Sequence, residues 1–351
     1  MQPETPVPQP TAALRLRIDG EALAANWRAL DRLSGTARAG AAIKADGYGI
    51  GARRALLALK DAGCDDFFVA HWGEAAELLD VAPPGSISVL HGPLTGADAA
   101  WAKAAGLRPV INSLHQAQLW LAAGGGRCDL MIDSGINRLG LPLGDLGDPL
   151  VAQLDIDLLC SHLACADEDS ALNGVQLACW QDARRHVAHR RASLANSAGI
   201  VLGSAYHGDL TRPGLSLYGG VPRAELTAQI RTVAFPQAAV MQIRALNAGD
   251  SVGYNATFVA SAAMRVAVIA LGYADGFLRC WSGCGAMLAN GLRLPVLGRV
   301  SMDMTVIDIS AAPDLREGDW VEAAYDLPAA AQVSALSQYE LLTLLGRRFG
   351  R

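Results

Sequence analysis

AAIKADGYGIGA, residues 41–52, decides the fold. It opens as a short apolar run, stops at a lysine, crosses a glycine-rich loop and enters the helical pattern ARRALLALKDAG at Ala52. That is one strand–loop–helix unit, and the alternation recurs as far as residue 219. The apolar runs are AAIKA (41–45), FFVA (67–70), SISVLHG (86–92), RPVIN (108–112), DLMID (129–133), DLLCSHLA (157–164), SLANSAG (193–199) and GLSLYG (214–219). Eight apolar strands alternating with helices predict a (β/α)8 TIM-type barrel, whose parallel strands are buried on both faces. The rival, an open doubly wound sheet, lacks the G-x-G-x-x-G that would follow its first strand.

Polar side chains fall at or just past the ends of these runs: Lys44, His71, Asn112, Asp133, His162, Asn196 with Ser197, and Tyr218. In a barrel those ends converge on one mouth, where active sites are built. Beyond Arg231 the texture changes. AAVMQIRAL, MRVAVIALGY, LRLPVLGRV, MTVIDI and WVEAAYD read as strands separated by turns, and helical periodicity returns only in QYELLTLLGRR (338–348). The expected division is a flexible proline-rich tail over residues 1–12, a barrel over 13–232 and a mostly-β C-terminal domain over 233–351.

The chain has 351 residues, of which 51% are hydrophobic and 18% charged, so it can bury a large core and is not disordered. A net charge of -5 without a basic stripe gives no reason to expect nucleic acid. No apolar run is long enough to span a membrane, and MQPETPVPQPTAAL lacks the basic and apolar regions of a secretory signal. Seven scattered cysteines fit reduced thiols in the cytoplasm better than a disulfide frame. Cys280 and Cys284 have no partner pair of ligands, and His186 and His189 lie on a charged helix face, so no metal is expected.

A lysine ending an apolar strand is costly to bury unless it has work to do. Desolvation lowers an amine's pKa and suits it to Schiff-base formation. The segment around Lys44 resembles the lysine signature of the alanine racemases, K-A-x-A-Y-G-H-G, departing from it at Gly47 and Ile50. The resemblance continues in order through DSGINRLG (133–140), SHLACADE (161–168), ANSAG (195–199), RPGLSLYG (212–219), VGYNATF (252–258), LGYADGFLR (271–279), GRVSMDM (298–304) and QYELLTLLGRR. It therefore spans residues 41 to 348.

The resemblance implies pyridoxal 5'-phosphate held covalently by Lys44. The phosphate would be bound by Tyr48, Ser197, the N–H groups of Gly214 and Leu215, and Tyr339, with Asn196 and His162 also lining the cofactor. Arg212 would face the pyridine nitrogen, leaving the ring a weaker electron sink because arginine keeps its proton. Two bases on opposite faces of the substrate would exchange its α-proton, Lys44 for the D-enantiomer and Tyr254 for the L-enantiomer. A phenol is a weak base at neutral pH, so a cationic Arg212–His162 network would have to lower its pKa. Arg138 and the Met302 N–H would hold the substrate carboxylate, Tyr273 and Arg279 would stand at the entrance, and Asp303 would support them. The family also implies a homodimer in which Tyr254 reaches the Lys44 site of the other subunit.

The sequence departs from the family pattern at two further places. Met131 stands where many members have a carbamylated lysine, and polar Ser337 where many have isoleucine; both bear on substrate preference. The alternatives are a broad-specificity racemase acting on serine or basic amino acids, a decarboxylase of similar architecture, and a non-catalytic cofactor carrier. The last would not need the second domain that supplies Tyr254.

Overall fold

The computed structural model describes residues 12–346, 348 and 349. The expected tail lies outside them except for Ala12. The chain divides into two units, one running from Asp19 to Val233, the other from Ala234 onward together with the strand Leu14–Ile18. That strand was expected within the barrel. LRLRI instead buries alternate residues and pairs antiparallel with Ala234–Leu246, Leu14 opposite Ala238. Alternation marks a strand with one solvated face, unlike the continuous apolar runs of barrel strands. Its outward arginines lie over aromatic rings, Arg15 on Trp320 at 4.0 Å and Arg17 on Phe235 at 3.7 Å.

In the first unit, parallel strands run in space from Ala41–Ala42 through Phe67–Val69, Ile87–Val89, Arg108–Ile111, Arg127–Asp133 and Asp155–Cys160 to Arg191–Ser193. The ring closes through Leu210–Thr211. That strand pairs parallel with Arg38–Ala39 on one side, and on the other Asp209 N–H donates to Ala192 O and Arg212 N–H to Ala195 O. Gly40, between Arg38–Ala39 and Ala41–Ala42, lets the chain pass close to the start of the neighbouring strand Phe67–Val69, because a Cβ there would lie 2.9 Å from Asp66 O.

The eighth strand is therefore not GLSLYG. Leu215–Tyr218 is a short 3-10 helix, completely buried, and the strand precedes it. A short apolar run cannot be told from a buried helical turn by periodicity. Pro213, which has no N–H for a ladder, separates the two.

The second unit is an antiparallel sheet that closes on itself. Ala234–Leu246 is followed in space by Met264–Ile269, Thr305–Asp308, Leu292–Leu297, Ala286–Ala289 and Trp320–Ala323, which pairs back onto Ala234–Leu246. A small hairpin, Ser251–Val252 with Phe258–Val259, stands apart from it. Helix Gln338–Thr343 begins with a capping box: Ser337 Oγ accepts the Glu340 N–H and Glu340 Oε2 the Ser337 N–H.

Candidate active site

At the barrel mouth the lysine-bearing strand ends at Ala42, and Lys44 starts a turn of unusual hand. Ala45, Asp46, Gly47 and Tyr48 all have positive φ, between 52° and 62°. Only one of the four is glycine. Left-handed backbone costs roughly 1–2 kcal/mol per residue, and such strain persists where surroundings over-determine it, often at functional sites. Asp46 holds the far end: its Oδ1 accepts the Ala52 N–H at 2.8 Å and its carbonyl the Gly51 N–H at 2.8 Å.

The turn delivers Tyr48 beneath the 3-10 helix. Its ring stacks on Tyr218 with centroids 4.7 Å apart, and the Tyr218 hydroxyl donates to Ala42 O at 2.9 Å. A Cβ on Gly214 would fall 2.3 Å from the Tyr48 hydroxyl, so only glycine fits there. Beside it, Ser197 Oγ accepts the N–H groups of Gly214 at 3.0 Å and Ser216 at 3.2 Å. With both lone pairs engaged, the remaining capacity of Ser197 is its O–H donor. The Leu215 N–H opens the 3-10 helix, where first-turn donors have no partner within the helix. Ser216 adds a fully buried hydroxyl without a hydrogen-bond partner among the described residues. Hydroxyl and N–H donors converging on a cradle that a single Cβ would fill suit a phosphoryl group without a lysine clamp.

The mouth is electropositive. Burial, then Arg138, lower the pKa of the half-buried Lys44 amine, with Glu74 opposing them. Burial, then Arg212, Arg138 and Lys44, drive His162 down to about 3. His162 is therefore neutral at physiological pH, and the cationic Arg212–His162 network expected from the sequence has a single cation, Arg212. The buried guanidinium of Arg212 donates to Ser193 Oγ and Ser161 O.

Other polar residues at the strand ends hold loops. Asn112 donates to Leu90 O and Val110 O. Asp133 Oδ1 gathers the N–H groups of Gly135, Ile136 and Asn137, shaping the turn before the exposed Arg138. Asn196 Oδ1 accepts the Gly199 N–H. Met131 is buried on its strand.

In the second unit, Tyr254 is 65% exposed, on a turn carried by the small hairpin with Asn255 and Ala256 at positive φ. Tyr273 lies under the Arg279 guanidinium at 5.2 Å. The GYAD and SMD segments are clasped together. Gly272 sits so close to the Met302 carbonyl that a Cβ would lie 2.3 Å from it, and Met302 O accepts the Ala274 N–H at 3.0 Å. Arg348 bridges buried Asp275 and exposed Asp303, each at 2.7 Å. Tyr339 is half-exposed on the capped helix.

Sequence reasoning missed Glu74, Asp46 and the Asp275–Arg348 clasp. For the helix at 338 the S-x-x-E spacing of Ser337 and Glu340 was a readable signal. For Glu74 no local signal existed.

A lysine-bearing parallel barrel with a phosphoryl cradle at its mouth, joined in one chain to an antiparallel β unit, defines a class of cofactor-dependent enzymes. The family described as alanine racemase, N-terminal domain, matches residues 18–222, and that described as alanine racemase, C-terminal domain, matches residues 233–351. The biosynthetic alanine racemase of Agrobacterium fabrum is 40% identical over 366 residues, covering 97% of this chain and 93% of that protein. The catabolic alanine racemase of Rhizobium johnstonii is 41% identical, covering 96% and 93%. Among solved structures, the alanine racemase of Bartonella henselae with covalently bound pyridoxal phosphate has a TM-score of 0.90 at 32% identity, covering 97% of this chain and 99% of that one. The chain belongs to the alanine racemase family.

Proposed function

We propose that this protein interconverts L- and D-alanine with pyridoxal phosphate carried on Lys44. The observation that carries this reading is the half-buried Lys44 amine, its pKa lowered, at a mouth whose cradle fits a phosphate. The matched relatives bear the name alanine racemase, which favours alanine over the broad-specificity alternative. Both biosynthetic and catabolic enzymes are among them.

When bound, pyridoxal phosphate supplies the electron sink that makes the substrate α-proton removable. The protein's part is to bind, orient and exchange that proton. Tyr48, Ser197, Gly214, Leu215 and Tyr339 would hold the phosphate, while Asn196 and His162 would line the cofactor. Arg212, fixed by Ser193 and Ser161, would present its cation to the ring nitrogen. Neutral His162 packs near it without adding charge. Lys44 takes or returns the proton on one face and Tyr254 on the other, so inversion needs no single group to cross the substrate plane. Arg138 and the Met302 N–H hold the carboxylate. Tyr273 and Arg279 form the entrance, and Asp303, tied to Arg348, supports them.

Lys44 and Tyr254 belong to different units of the fold, and a twofold homodimer would let each site draw its lysine and tyrosine from different chains. A cytoplasmic setting agrees with seven cysteines that are all unpaired. No helix among the described residues is long and apolar enough to cross a membrane.

The test is a subunit-mixing assay. Lys44→Ala and Tyr254→Phe should each lose racemisation, measured by chiral chromatography, by orders of magnitude. Mixed dimers carry one doubly mutated and one intact site, so random exchange should restore roughly a quarter of wild-type sites. No recovery, with exchange confirmed, defeats the shared site. Wild-type protein inactive on alanine with added cofactor defeats the function.

A further inference from the structure

Glu74 lies in the helix Trp72–Ala76, just past the strand Phe67–Val69, and has no part in the proton exchange described above. Its side chain is only 14% exposed. Each carboxylate oxygen takes one backbone donor: Oε1 accepts the Ala45 N–H at 2.7 Å, and Oε2 the Ala70 N–H at 2.7 Å. Ala45 follows Lys44 and opens the left-handed run. Ala70 follows the neighbouring barrel strand, Phe67–Val69. One carboxylate thus spans two adjacent strand ends.

Besides its own backbone hydrogen bonds, such as Gly47 N–H to Ile43 O, the strained run is held by two carboxylates. Asp46 holds its far end and Glu74 its near end, and the path between them sets where Lys44 leaves the barrel and where Tyr48 arrives beside Gly214. Without the near anchor, about four residues of unfavourable backbone have less to hold them. Glu74 also places a negative charge that opposes burial and Arg138 at the Lys44 amine.

We propose that Glu74 is a positioning residue, whose two-oxygen bridge from the Ala45 N–H to the Ala70 N–H sets Lys44 and Tyr48 against the cofactor. This rests on Lys44 being the cofactor lysine. The bridge needs a carboxylate. A glutamine offers one acceptor and sets its NH2 against the second N–H, so a nearly isosteric change breaks it.

The test compares wild type, Glu74→Gln and Glu74→Ala as folded proteins reconstituted with pyridoxal phosphate. Glu74→Gln should bind the cofactor about tenfold or more weakly, and Glu74→Ala more weakly still. Visible circular dichroism per bound cofactor should change in both, and kcat for alanine should fall with little change in KM. A merely structural residue would lower the melting temperature and leave the dichroism of the bound cofactor as in wild type. Wild-type affinity and dichroism in either variant overturn the proposal. Amide exchange in the wild-type holoenzyme needs no variant: Ala45 should be protected, and exchange at the free-peptide rate also overturns it. Wild type that takes up no cofactor on Lys44, shown by borohydride fixation and peptide mapping, refutes the functional reading instead.

Discussion

The two ends of the parallel barrel hold their charges in opposite ways. At the base, where strands begin, Arg108 donates to Asp66 and Asp157 at 2.7 Å each. Arg191 reaches the same two carboxylates at 2.7 Å. Burial alone would raise both carboxyls, but Arg191 and Arg108 bring Asp66 below its ordinary value, and the same arginines do so for Asp157. Behind them Asp129, completely buried, is pushed up by desolvation and takes the Ser88 hydroxyl at 2.6 Å. At the mouth, Arg138 opposes charge on the Lys44 amine while Glu74 favours it, and Arg212, Arg138 and Lys44 together keep His162 from taking a proton. At the base the ions pair with one another. The mouth holds cations suited to anions that arrive from outside, a phosphate and a substrate carboxylate. A barrel separates stability from chemistry by giving each one end of its strands.

The largest expected effect breaks the base. Arg108→Met leaves Asp66, Asp157 and Asp129 buried with one arginine fewer, and losing one partner of a buried network costs roughly 3–5 kcal/mol. Urea unfolding at neutral pH should show that loss, while the folded protein keeps its cofactor affinity within about twofold. A parallel fall in affinity would mean that the two ends are not independent.

A change of intermediate size breaks the mouth instead. Gly214→Ala drives a methyl group into the Tyr48 hydroxyl. Cofactor affinity, measured by equilibrium dialysis, should fall about tenfold or more, since overpacking of this kind costs roughly 1–3 kcal/mol. Unchanged affinity would show that Tyr48 and Gly214 do not form the cradle.

Near neutral pH the smallest effect is a titration that sharpens the comparison through pH. His162 has a folded pKa of about 3, below its ordinary value of 6.5. As pH falls below 6.5 the unfolded chain binds a proton that the folded protein refuses. Its share of stability is present above 6.5 and is lost as pH falls toward about 3, at most about 1.4 kcal/mol per pH unit. His162→Gln should flatten that slope, and NMR titration should find the ring neutral at pH 5. A midpoint near 6.5 would mean that the mouth is less crowded with cations than its geometry implies.

Much of the candidate site was legible because its chemistry is local. Lys44 ending an apolar strand, Ser197 past a strand end and the glycines flanking Tyr48 each carry a recognisable need. Glu74 was not legible, since its role comes from two backbone N–H groups, one of them 29 positions away. Ser337, polar where many relatives have isoleucine, also caps a helix. The paired ions of the base join positions between 34 and 125 apart, and no spacing announces them.

By itself the sequence determined that apolar runs and helices alternate, that the C-terminal third is mostly strand, and that a lysine stands where a barrel opens. Those follow from periodicity and from the cost of burying an ammonium. The tertiary structure decided which short run closes the barrel, that LRLRI leaves it for the β unit, that Lys44 departs on a left-handed turn, and that His162 is neutral. Each depends on neighbours distant in the chain: the ladder partners of Leu210, the edge of Ala234–Leu246, the carboxylates of Asp46 and Glu74, and the cations gathered around a half-buried imidazole.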